Sequence, residues 1–182
     1  MKKQKLLSLL LAILLTAPFL SACSGNEDGT LNFSSFSADT LDGGTFTQED
    51  IAAKDVTAIN FWGTFCGPCI GEMPDLAAFE KALPDNVQLI TICLDAQGNE
   101  DTAKALLAQA GFEGVTLISG DNKFNNICRP VTAVPITVFV DSKGKQVGDK
   151  ILGAQPDLSE QYLKAINEAL AKDGKAEISL EK

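Results

Sequence analysis

Three short, nearly continuous apolar runs organise this chain: residues 56–62 (VTAINFW), 87–94 (VQLITICL) and 136–140 (ITVFV). Runs of this length, rich in β-branched and aromatic residues, read as strands buried on both faces. Between them the polarity pattern changes. Residues 67–83 read as a helix that Pro74 should kink, ended by Pro84-Asp85-Asn86. Residues 99–110 read as an amphipathic helix closed by Gly111, followed by a short strand at 115–118 and a short helix or turn at 121–127. After the third run, Asp141-Ser142-Lys143-Gly144 turns the chain into 146–152, an edge strand with interleaved polar residues. A last helix starts at Pro156 or Asp157 and runs through Leu170, with Leu158, Tyr162, Leu163, Ile166 and Leu170 on one stripe. Upstream, residues 31–39 read as an extended segment anchored by Phe33 and Phe36. Asp42-Gly43-Gly44 is a turn signal, and Thr45-Phe46 completes a hairpin. Thr47 opens a short helix with Asp50 three residues on, an approximate capping box. The tail from Asp173 is polar and reads as frayed.

Strands alternating with helices predict an α/β domain with a parallel-rich central sheet covered on both faces. The last two strands, joined by a tight turn, must be antiparallel. The length of 182 residues suits one domain, and 45% hydrophobic with 21% charged residues is globular composition, not that of a disordered chain.

The first residues are read apart from that domain. Lys2, Lys3 and Lys5 precede an apolar run over 6–20, of signal-peptide length and short for a spanning helix. The run ends in Leu20-Ser21-Ala22-Cys23, which resembles a bacterial lipobox. That resemblance implies a signal peptide over 1–22, cleavage before Cys23 and lipid attachment to its sulfur. The alternative is an uncleaved anchor or a plain signal peptide. Ser24-Gly25-Asn26-Glu27-Asp28-Gly29 has no apolar residue and reads as a tether, so that 23–30 leads into a domain at 31–172 and a polar tail at 173–182. Loss of the three leader lysines takes the net charge from −9 to −12. Such a body is drawn neither to nucleic acid nor to anionic lipid, so a lipid anchor alone would hold it at a membrane. There is no histidine, which removes the commonest general base and a major metal ligand. In an exported chain with Cys23 lipidated, the remaining Cys66, Cys69, Cys93 and Cys128 are an even set able to form disulfides.

The sharpest chemical feature is Trp62-Gly63-Thr64-Phe65-Cys66-Gly67-Pro68-Cys69. A CxxC also occurs in structural zinc sites, but this one lies where a buried strand turns into a helix. Cys66 at the helix N-terminus would meet unpaired backbone N–H groups and the positive end of the macrodipole, an environment that favours a thiolate. Pro68 suits the first turn. Cys69 falls one turn in and is more shielded, which makes Cys66 the attacking thiol and Cys69 the resolving one.

These residues resemble the thioredoxin superfamily, and more closely its exported TlpA/ResA-like branch. The match runs through Asn60-Phe61-Trp62-Gly63-Thr64-Phe65-Cys66-Gly67-Pro68-Cys69, then Glu72-Met73-Pro74, and again at Val134-Pro135 before the third apolar run. It spans about residues 31–170. The resemblance implies a thioredoxin-like α/β fold, a central mixed sheet flanked by helices, with an amino-terminal hairpin and an insertion between the second buried run and Pro135, and a thiol–disulfide oxidoreductase that needs no cofactor or metal. It implies clients that are exported proteins with disulfides, most simply reduced by this chain, and a membrane electron-donor protein that recharges it. It also implies a cis Pro135 beside the active cysteines, with Val134 and Pro135 at the substrate. Thioredoxin has a buried acid at the position of Asn60, which cannot titrate. Glu72, on the same helical face as Cys69, matches an acidic residue of the ResA-like branch and is the candidate to move the proton. The alternative is that Glu72 only complements the helix dipole.

Trp62, next to the redox turn, is expected to line an apolar surface for the client. Cys93 and Cys128 either form a second disulfide or are two buried thiols that pack as small hydrophobes. Two rival functions remain at this level. A peroxiredoxin-type thiol peroxidase is disfavoured because Thr64 stands two residues before Cys66 where a Thr-x-x-Cys pattern needs three. The other is a metal-binding module built from Cys66, Cys69, Cys93 and Cys128.

Overall fold

The protein is described by a computed structural model covering residues 29–180. The 1–22 leader, Cys23 and the tether as far as Asp28 lie outside the described residues. Local sequence signals place the elements: β1 (Ser37–Thr40), β2 (Thr45–Thr47), α1 (Gln48–Ala52), β3 (Val56–Trp62), α2 (Gly67–Lys81), β4 (Val87–Cys93), α3 (Glu100–Ala110), β5 (Thr116–Gly120), α4 (Asn122–Cys128), β6 (Ile136–Asp141), β7 (Ile151–Leu152) and α5 (Leu158–Lys172). The capping box of α1 is formed, with the Thr47 N–H donating to Asp50 Oδ2 at 2.7 Å. Asp121 caps α4 by accepting the Phe124 N–H at 2.8 Å. Gly111 closes α3 in the left-handed conformation that a side chain would resist. Helix α2 continues through Pro74.

The strands form one seven-stranded mixed sheet in the order β2-β1-β5-β4-β3-β6-β7. The pairs β3/β4 and β4/β5 are parallel; β1/β2, β1/β5, β3/β6 and β6/β7 are antiparallel. The sheet is therefore mixed, as expected for this fold, with its parallel pairs confined to the centre. After α4 the chain crosses to the Trp62 end of β3 before β6 begins, so Ile136 pairs with Phe61 and β6 runs back down. The amino-terminal hairpin is not an appendage, because β1 pairs with β5 and extends the same sheet.

Side chains alternate across the strands and feed two cores. One face carries Ala58, Trp62, Leu89 and Cys93 against α2, α3 and α5, including Leu76, Phe79, Tyr162 and Ile166. The other carries Ile59, Phe61, Ile90, Ile92, Val138 and Val140 against Phe33, Phe36, Phe124 and Ile127. Gly144 fixes the N-terminal segment: it has φ +74°, its carbonyl accepts the Phe33 N–H at 2.7 Å, and a Cβ there would fall 2.4 Å from the Phe33 backbone.

Two expectations change. The edge strand over 146–152 is reduced to Ile151–Leu152 plus a single bridge from Gln146 to Val140, because Gly148 at φ +74° turns the chain out of the extended region. The tail from Asp173 is docked, not frayed. Asn167 holds Ile178 at both backbone groups, donating from Nδ2 to its carbonyl (3.0 Å) and accepting its N–H (2.8 Å). Ile178 and Leu180 pack on the helical core, and Lys175 pairs with Asp55 at 3.0 Å.

Candidate active site

Strand β3 runs into the Gly63-Thr64-Phe65 loop, which delivers Cys66 to the N-cap of α2. The Cys66 backbone is extended (φ −90°, ψ 97°), and its sulfur accepts the Cys69 N–H at 3.2 Å. One of the unpaired donors of the first turn is thus aimed at this sulfur. Pro68 occupies the first turn, where it has no intrahelical bond to lose. Cys66 and Cys69 are joined in a disulfide across 5.3 Å between their Cα atoms. Both are largely covered, Cys66 6% exposed and Cys69 1%.

A shallow groove of about 420 Å³ opens beside the disulfide, between Phe65, Cys66 and Pro68 on one side and Leu94 and the 131–134 loop on the other. Cys66 lines it and Cys69 does not. The Val134–Pro135 peptide is cis, and the Val134 carbonyl oxygen lies 3.7 Å from Cys66 Sγ.

Trp62 does not line this surface. It is wholly buried among the helices of its face, its Nε1 without a hydrogen-bond partner. Its position in β3, in register with Cys93 of β4, turns it inward under α2 and α3. The exposed aromatic is Phe65 instead, 74% accessible at the groove rim, with Leu94 at 37%. The sequence signal for Phe65 was available, since an aromatic inside the redox turn cannot join a sheet face.

The redox loop is tied down by Asp95, a residue the sequence did not single out. Its carboxylate accepts the Thr64 N–H at 2.8 Å, the Thr64 hydroxyl at 2.5 Å and the Cys93 thiol at 3.4 Å. Burial works against ionisation of Asp95, but the hydrogen bonds from Thr64 and Cys93 outweigh it and hold the carboxyl below its ordinary range. Only its place just past β4, facing the redox loop, marks it.

Glu72 is 4% exposed and projects from α2 toward β3. Burial pushes its carboxyl upward. The Asn60 amide, donating from Nδ2 to Oε1 at 3.2 Å, and the Gln155 backbone partly oppose this, and Asp75 adds to it. Asn60, in the place of thioredoxin's acid, is thus the hydrogen-bond partner of Glu72.

Cys93 and Cys128 form no bridge. Both are free, Cys93 in the core on the α2 side and Cys128 packed against the opposite core, so the sheet separates them. The four-cysteine cluster of a metal module is likewise not assembled. Burial, first of all, pushes the thiols of both Cys93 and Cys128 up to about 12. At neutral pH both are therefore held as thiols. Brief iodoacetamide treatment of the reduced native protein should label Cys66 and leave Cys93 and Cys128 unmodified until denaturant is added. Peptide mapping reads the result.

Comparison with known proteins decides the family. A family profile described as Redoxin matches residues 28–168, well over half of the chain. The chain belongs to the Redoxin family. Among relatives, the chain is 32% identical to the thiol-disulfide oxidoreductase ResA of Bacillus thuringiensis (strain Al Hakam) over 69% of this chain and 71% of that protein. It is 33% identical to the thioredoxin-like protein YneN of Bacillus subtilis (strain 168) over 60% of this chain, and spans 63% of YneN. This redoxin is a ResA-like thiol–disulfide oxidoreductase. Its fold is similar to that of the thioredoxin domain of a thiol-disulfide oxidoreductase from Bacteroides vulgatus, with TM-score 0.61 at 20% identity over 75% of this chain and 96% of the other. It is also similar to a thioredoxin-family thiol:disulfide interchange protein from Chlorobium tepidum, with TM-score 0.60 at 22% identity over 75% and 97%. The redoxin fold is thus thioredoxin-like, as the motifs implied.

Proposed function

We propose that this redoxin is exported, anchored through a lipid on Cys23, and reduces disulfides in other exported proteins. The observation that carries this reading is the asymmetry of the dithiol: Cys66 borders an open apolar groove and Cys69 lies beneath it. In the reduced enzyme the Cys66 thiolate attacks one sulfur of a client disulfide. That bond breaks, a mixed disulfide forms and one client thiolate leaves. Cys69 then gives its proton to Glu72 and attacks Cys66 Sγ, releasing the second client thiolate. The client gains two electrons, and the enzyme ends as the Cys66–Cys69 disulfide. A membrane electron-donor protein returns two electrons and two protons.

The client enters as an extended segment against the backbone of Val134, whose carbonyl faces the groove beside Cys66, and Pro135 keeps the following N–H position empty. Phe65 and Leu94 supply apolar contacts at the rim. Among the described residues no helix is long and apolar enough to cross a membrane.

Fractionation with an insulin-reduction assay tests both halves. The parent chain should sediment with membranes and reduce insulin in the presence of dithiothreitol. The Cys23→Ala chain should appear in the soluble extracytoplasmic fraction and keep its insulin activity. Membrane binding unchanged by Cys23→Ala would remove the anchor, and failure of both chains to reduce insulin would remove the reductase assignment.

A further inference from the structure

Behind Cys69 lies a buried polar chain of which the proposed exchange chemistry uses only Glu72 directly. Asn60 of β3, Glu72 of α2, Thr137 of β6 and Tyr162 of α5 are each at most 4% exposed, within an otherwise apolar core. Asn60 Nδ2 donates to Glu72 Oε1 at 3.2 Å and to Thr137 Oγ1 at 3.0 Å, and Thr137 Oγ1 lies 2.5 Å from the Tyr162 hydroxyl. Buried polar groups are costly unless paired, so a chain spanning four elements requires an account.

Hydrogen counting gives the chain a direction. The Asn60 amide has two hydrogens, and both are spent, one on Glu72 and one on Thr137. Thr137 therefore presents a lone pair to Asn60, and its hydroxyl shares a second hydrogen bond with Tyr162, in which either oxygen can donate. Turning the amide over would aim Asn60 Oδ1 at both neighbours and leave its two N–H groups in the place where Oδ1 now has no partner. The Thr137 acceptor thus keeps the donor side of Asn60 toward Glu72. A donor aimed at a carboxylate favours its charged form.

We infer that Thr137 and Tyr162 are positioning residues that hold the Asn60 amide as a donor to Glu72 and so set the pH at which Glu72 accepts a proton. The idea rests on the proposed role of Glu72 for its consequence in turnover, but not for its effect on Glu72 itself. The other groups that face Glu72 are Asp75 on its own helix, Tyr162 from α5 and the Gln155 backbone ahead of α5; β3 and β6 contribute the neutral Asn60 and Thr137. Tyr162 is held protonated, since burial first, and then Glu72, push its phenol well above the ordinary range; its hydrogen bonds oppose this. Its ring is also fixed, edge-on to Phe79 and Phe139 with centroids 5.5 Å away in each case.

The test uses the oxidised full-length protein with ¹³C-labelled glutamate side chains, the Glu72 resonance being assigned by its loss in Glu72→Gln. Thr137→Val keeps the shape and removes the acceptor. It should raise the Glu72 titration midpoint by about one pH unit, tenfold in proton affinity. Tyr162→Phe should move it the same way by less, because the Thr137 hydrogen is then free to turn toward Asn60. Thr137→Ser, which keeps the hydroxyl, should restore the parent midpoint. In insulin reduction the acid limb of the pH profile should move with the midpoint. A folded Thr137→Val protein with an unchanged midpoint overturns the inference, as does a Thr137→Ser midpoint that follows Thr137→Val. If Thr137→Val does not fold, an unchanged midpoint in Tyr162→Phe overturns it. A shifted midpoint with an unshifted turnover profile leaves the chain standing and removes Glu72 from catalysis.

Discussion

Cys66→Ser should abolish turnover of protein disulfides, whereas Cys69→Ser should retain one attack and accumulate a mixed disulfide with the client. The difference follows from position. Cys66 lines the groove, and its sulfur receives the Cys69 N–H at the start of α2, so charge on that sulfur meets a donor in place. Cys69 is 1% exposed and reaches a client only through Cys66. Without it the second exchange step has no nucleophile and the client stays bound. Non-reducing gels of cells expressing each variant, followed by mass spectrometry of the adducts, read the outcome. Adducts on Cys66→Ser through Cys69 would reverse the two roles. The same adducts would identify the clients.

Glu72→Gln should slow turnover by about 10²-fold, the usual worth of a positioned general base, and flatten the acid limb of the pH profile. Resolution requires a shielded thiol to lose its proton. The chain has no histidine and Asn60 does not titrate, so Glu72 is the buried carboxylate available on the helix that carries Cys69. Stability should move the other way. Burial raises the Glu72 carboxyl above its unfolded value near 4.5, so its contribution to the folded state is full below that value and is lost as pH rises through the raised value. Glu72→Gln has no charge to bury. It should therefore match the parent in urea stability below pH 4.5 and exceed it at neutral pH. A parent-like pH profile with no gain in stability would assign Glu72 to neither task. Stability gained without activity lost would make it a buried charge that the chemistry ignores.

The strands buried on both faces, the helix caps and the redox turn were all legible in the chain, because each depends on residues a few positions apart. The run 56–62 read as a strand covered on both sides, and Thr47 with Asp50, and Gly111, each act within one turn of helix. The CGPC turn was equally local, since a strand end, a helix start and Pro68 fix where Cys66 sits. Errors arose where an outcome depended on what lies across the sheet. Strand periodicity assigns Trp62 to a face but does not say that α2 and α3 cover that face to the strand's end, and so the exposed aromatic proved to be Phe65. The polar tail gave no sign that Asn167 would take both backbone groups of Ile178. For Cys93 and Cys128 the sequence left a disulfide and two separate thiols equally open, and the fold decided for the second by putting them on opposite faces of the sheet.

By itself, then, the sequence determined the α/β elements and the position of the redox dithiol, since covalent spacing and helix-end geometry act over a few residues. Only the tertiary structure decided what surrounds that dithiol. The Asp95 clamp on Thr64 spans 31 positions, the Asn60 bond to Thr137 spans 77 and the Val134 carbonyl stands 68 from Cys66. These contacts depend on the strand order β4-β3-β6, which brings distant segments side by side once the apolar faces are buried. No local propensity encodes such pairings, because each is settled by the packing of the whole sheet.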